Sequence, residues 1–143
     1  MPIFSGESRE AMRRRYLDAW RKSCAREVLE PLDAQLAAVI EQHPEYVAWL
    51  ESGDDALTAE FTPEGGRQNP FLHMGLHLAI REQVATDRPV GIAAVHARLT
   101  LRRGDAHKAE HAMIEPLAET LWEAQRSGGA PDEGAYLERL QRL

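Results

Sequence analysis

Apolar positions recur at helical spacing through most of the chain, and no run alternates with the period of two that a half-buried strand shows. Tyr16, Leu17 and Trp20 give an apolar stripe to a first helix running from about Gly6 to Arg26. Pro31 suits the first turn of a second helix, whose apolar face is Leu32, Leu36, Val39 and Ile40. "HPEY" breaks it, because the residue before a proline avoids the helical region. A short helix then resumes at Pro44 and carries Tyr46, Trp49 and Leu50.

Residues 52–68, "SGDDALTAEFTPEGGRQ", form the one long irregular stretch, with a helical turn expected around Asp55 to Leu57. The stretch reads as a packed excursion or as a lid. Asn69 and Pro70 open a third long helix: a capping side chain, then a ring whose missing N–H costs nothing there. That helix ends near Thr86, and "TDRP" is a tight corner. A helix from about Pro89 to Arg103 follows, with Gly104 as its C-terminal cap. Asp105 caps the next, which continues to about Arg126, and "AYLERLQRL" closes the chain. The pattern predicts an all-α, single-domain helical bundle of five or six helices over residues 1–143.

Composition narrows the function classes. The length of 143 residues is that of one domain, and 43% hydrophobic with 28% charged residues is ordinary globular composition. The formal net charge of −6 argues against a nucleic-acid module, which carries a basic excess. The basic run "RRRYLDAWRK" (13–22) reads as the solvated face of the first helix. No apolar run approaches the roughly 18 residues of a membrane span, and no secretory h-region opens the chain, so a soluble cytoplasmic protein is expected. The single cysteine, Cys24, excludes an intrachain disulfide and reads as a small core residue. Trp20, Trp49 and Trp122 read as core anchors.

The chemistry concentrates in histidine. Of six histidines, four form two pairs at i, i+4: His73 with His77, and His107 with His111. Such residues share one helix face, one turn apart, and two imidazoles so placed can grip one metal ion. The first pair continues through Ile80 and Val84, the second through Ile114, Ala118 and Leu121, so both pairs are expected to face the core. Short corners make consecutive helices antiparallel, which sets the two histidine helices parallel, with their pairs at matched depth. Glu110 and Glu115 flank the second pair as further ligands or as a base. His96 is a candidate for an outer position, and His43 reads as a core histidine. A transition metal ion, zinc or iron foremost, suits imidazole and carboxylate ligands without thiolate.

The rival reading is a structural or regulatory protein-interaction module. Its histidines would form a metal-free buried cluster with Glu110, Glu115, Arg81 or Glu82. A protein partner, or a second copy of the chain, would then meet its acidic surface or its basic first helix. No residue pattern names a substrate or a reaction, so enzymatic activity is left open.

"HPEY", "NPFLHMGLHLAIREQ", "TDRP", "GDAHKAEHAMIE" and "LWEAQRSGGAPDEGAYLERL" together resemble a family of small proteobacterial proteins, domain of unknown function eighteen forty-one. The likeness covers nearly the whole chain. It implies a soluble bacterial domain and supplies no reaction.

Overall fold

A computed structural model describes residues 8–61 and 68–143. Among these residues helices are the only regular structure, with eight α-helices and one 3-10 turn where five or six helices are expected. The expected short helix from Pro44 is present as the 3-10 turn followed by α3 (Val47–Glu51), and the expected turn around Asp55 to Leu57 is a separate five-residue helix, α4 (Asp54–Thr58). They separate because Gly53 adopts φ 68°, a left-handed turn that only glycine makes without strain. Thus α4 occupies part of the stretch predicted to be irregular. Residues 62–67 of the expected lid, and the predicted helix start at Gly6, lie outside the described residues.

The chain divides into two compact units, residues 1–74 and 75–143. In the first, α1 (Ser8–Cys24) and α2 (Pro31–Glu41) are followed by the 3-10 turn at Pro44–Tyr46 and then by α3 and α4. Val39, Ile40 and Leu50 are buried in its core, and the Tyr16 ring meets Phe71 edge-on at 5.3 Å between centroids.

The basic run of α1 is exposed at Arg14, Arg15 and Arg21, as expected of a solvated face, but Arg13 departs from it. Arg13 is only 1% exposed. Its Nη1 donates to the carbonyls of Ala56 (3.1 Å), Leu57 (3.3 Å) and Ala59 (2.7 Å). A five-residue helix leaves its last carbonyls without helical partners, and Arg13 supplies the missing donors to α4. Its guanidinium also lies over the Phe71 ring, 4.9 Å from the centroid. Cys24 is exposed, which corrects its assignment to the core.

The second unit is built from α5 (Pro70–Thr86) beyond its first turn, α6 (Ile92–Arg103), α7 (Ala106–Ser127) and α8 (Glu133–Gln141). Ile80, Ile92, Leu99, Met113, Leu117 and Leu140 form its core. The ends of these helices follow their capping residues. Asn69 Oδ1 accepts from the Phe71 and Leu72 amides at the start of α5, and Asp105 Oδ1 accepts from Lys108 N at 2.7 Å. Gly104 closes α6 at φ 100°. α6 starts at Ile92, later than the predicted Pro89, because Asp87 Oδ1 takes the amides of Gly91 and Ala93 and caps the helix from further along.

The orientation of α7 differs from the predicted seam. Its buried positions are Ala109, Glu110, Met113, Pro116, Leu117, Thr120 and Ala124. They lie about one residue step, roughly 100° at 3.6 residues per turn, from the line through His107, His111 and Leu121. α6 and α8 both pack on this side: Met113 and Leu117 lie among Ile92, Leu99 and Leu140, and Arg139 of α8 donates to Thr120 Oγ1 at 2.9 Å and to Glu123. Trp122 is consequently 55% exposed and carries Arg126 over its ring at 4.7 Å; it is not a core anchor. Among the described residues no helix is long and apolar enough to cross a membrane.

This orientation is testable. Leu117, 4% exposed, should cost roughly 2–4 kcal/mol when changed to Ala. Leu121, 41% exposed, should cost less than about 1 kcal/mol. Urea unfolding of the two variants decides it, and the reverse order would restore the predicted seam.

Candidate metal centre

Three imidazoles meet in the second unit. α5 contributes His77, fully buried at 0% exposure, while α7 contributes His107, half-buried, and His111, exposed. The His77 and His107 rings stack, 4.7 Å between centroids and 2° between planes. His111 stands 4.7 Å from His77 and 4.7 Å from His107, tilted by 54° and 56°. Each of the three offers a ring nitrogen, and those nitrogens lie within 4.8 Å of one another. A tetrahedral ion at about 2.0–2.1 Å from each nitrogen sets them roughly 3.4 Å apart. Ligation of one ion would therefore draw the three nitrogens closer together than the 4.8 Å within which they lie.

Behind them stands Glu110, 6% exposed on the buried face of α7. Its Oε1 lies 2.8 Å from His77 Nδ1. Arg81, one turn after His77 on α5, directs Nε at both carboxylate oxygens, 3.2 Å from Oε1 and 3.1 Å from Oε2. Burial pushes the Glu110 carboxyl up. The hydrogen bonds from His77 and Arg81, with the Arg81 charge, outweigh burial and hold it below the ordinary carboxylate value. An ionised carboxylate only accepts, so His77 Nδ1 is the donor. In the neutral ring the lone pair then sits on Nε2, the atom a cation takes.

Each of the other predicted residues has partners within its own unit or is exposed. His73 belongs to the first unit. It is 8% exposed, meets the His43 ring edge-on at 5.1 Å, and has Nδ1 3.3 Å from Gln68 Nε2. His43, also buried, donates from Nδ1 to the Val39 carbonyl at 2.7 Å and stacks on Tyr46. Glu115 is exposed and makes no hydrogen bond to the histidines of the second unit. His96 is half-buried on α6, and its carbonyl accepts from Thr100 Oγ1 at 2.8 Å. The two histidine pairs therefore do not match turn for turn: His77 alone meets both rings of the second pair. Tyr46 as a partner for His43 was not foreseen, and "HPEY" was the only signal for it. The place of Glu110 was visible in part, since a glutamate on the stripe of Ala109 and Met113 demands a cationic partner.

A family model described as "Domain of unknown function (DUF1841)" matches residues 8–142. No curated protein matches the chain, and no solved structure does.

Removing the shared carboxylate takes away the acceptor common to Arg81 and His77. Glu110→Ala should therefore cost about 2–3 kcal/mol near neutral pH. The folded value of Glu110 is depressed, so its contribution is complete above the ordinary carboxylate value and is lost as pH falls through the lowered one. Denaturant unfolding across an acid series should show the wild type and Glu110→Ala converging on acidification. A gap that stays constant would contradict the pairing.

Proposed function

The chain belongs to the DUF1841 family, and we propose that it is a helical transition-metal-binding protein whose ion is held by His77, His107 and His111. The observation that carries this reading is the convergence of three imidazole nitrogens, within 4.8 Å, from two helices. Zinc or iron suits the site, since imidazole without thiolate fits both. Glu110 takes part through His77. The buried His77 supplies rigidity, and the exposed His111 gives the ion a path to and from solvent.

A second reading rests on one feature. The Arg81–Glu110–His77 chain satisfies the buried carboxylate without a metal ion. On that reading the histidines stiffen the core of a protein-interaction module, and the acidic surface meets a protein partner.

Elemental analysis of protein purified without a histidine tag separates the two. Metal binding predicts about one transition-metal ion per chain and a melting temperature lowered by chelator. An alanine scan across all six histidines should lose the ion at positions 77, 107 and 111. Protein that carries no ion, takes up none when zinc or iron(II) is added, and melts unchanged with chelator rejects this function in favour of the interaction module.

A further inference from the structure

We infer that Glu110 is a positioning and specificity-determining residue of this site, not a ligand: held by Arg81, it fixes His77 as the Nδ1–H tautomer and leaves the ion only imidazole nitrogen from these helices. The inference rests on the metal-binding reading and adds to it the role of the carboxylate and the class of ion that the site favours.

The geometry separates the two roles of a carboxylate beside a metal. A ligating carboxylate needs an oxygen lone pair turned toward the ion. Oε1 of Glu110 instead takes the Nδ1 proton of His77 at 2.8 Å, on the side of the ring away from Nε2. Arg81 Nε bridges both oxygens at 3.2 and 3.1 Å, so rotating the carboxylate toward the histidines breaks contacts on both atoms. Glu110 is buried, so water does not replace those donors at low cost. The resulting order, carboxylate to Nδ1–H and then Nε2 to metal, is the arrangement that orients a ligating imidazole and raises its basicity.

The same hydrogen bonds decide the kind of ion. Non-haem iron(II) in a facial triad takes two histidines and one carboxylate. Among the described residues of the second unit, the buried carboxylate beside the rings is engaged by His77 and Arg81, and Glu115 is exposed. The donor set therefore favours a nitrogen-preferring divalent ion, zinc, over iron(II).

The test loads tag-free protein with zinc, and separately with cobalt(II) as a visible-spectrum reporter, in wild type, Glu110→Gln and Glu110→Asp. Glu110→Gln should keep the zinc stoichiometry and the shape of the cobalt absorption bands while zinc affinity falls about 10- to 100-fold. Glu110→Asp, which keeps the charge, should recover part of that loss. In zinc-loaded wild type, proton–nitrogen correlation spectra should show His77 protonated at Nδ1. Affinity unchanged by Glu110→Gln, cobalt bands that change shape in it, or an Nε2-protonated His77 would each overturn the positioning role while leaving metal binding intact. Failure of the wild type to bind zinc or cobalt overturns both together. The tautomer measurement needs no variant, so it decides even if the variants fold poorly.

Discussion

The Glu110 carboxylate is the constraint on which the histidine site of the second unit depends. A buried carboxylate is costly unless it is paired and hydrogen-bonded. Glu110 meets that demand with two side chains of α5, His77 and Arg81, one turn apart. Because both partners lie on one helix face, the pairing fixes the rotation of α5 beside α7 as well as its distance. The ring of His77 is then held against His107 and His111. The convergence of imidazoles is in this sense a consequence of where a single negative charge is buried.

The apolar core supports the same arrangement from the other side. Ile80, one turn after His77 with respect to its face, packs among Ile92, Leu99, Met113 and Leu117. Tyr136 of α8 is buried and donates to Gln83 Oε1 at 2.7 Å, which ties the far end of α5 to the last helix. Burial pushes that phenol well above its ordinary value despite the opposing hydrogen bond, so it stays a neutral donor. The histidines thus sit at one end of a packed seam whose other end is closed by α8.

Much of this was legible in the residues themselves. Asn69, Gly104 and Asp105 marked helix ends because each meets a local demand of the backbone that no distant residue changes. The inward face of α5 was legible too, since His73, His77 and Ile80 all lie buried on it. The rotation of α7 was not. Its apolar residues are spread widely enough to support two seams, and the one that is buried packs on residues of α6 and α8 that lie apart from it in sequence. Arg13 escaped for a similar reason. A basic run on a helix gives no sign that a five-residue helix elsewhere will need its carbonyls capped. Of the first histidine pair, His77 meets the second pair beside the carboxylate, while His73 lies in the first unit against His43.

X-ray absorption at the metal edge of protein as isolated, untagged and never exposed to added metal, tests the central claim most directly. Three-imidazole ligation predicts a first shell dominated by nitrogen near 2.0–2.1 Å, roughly the zinc–imidazole distance, with the outer-shell scattering of imidazole rings. No metal edge, or a first shell of oxygen without ring scattering, would contradict it.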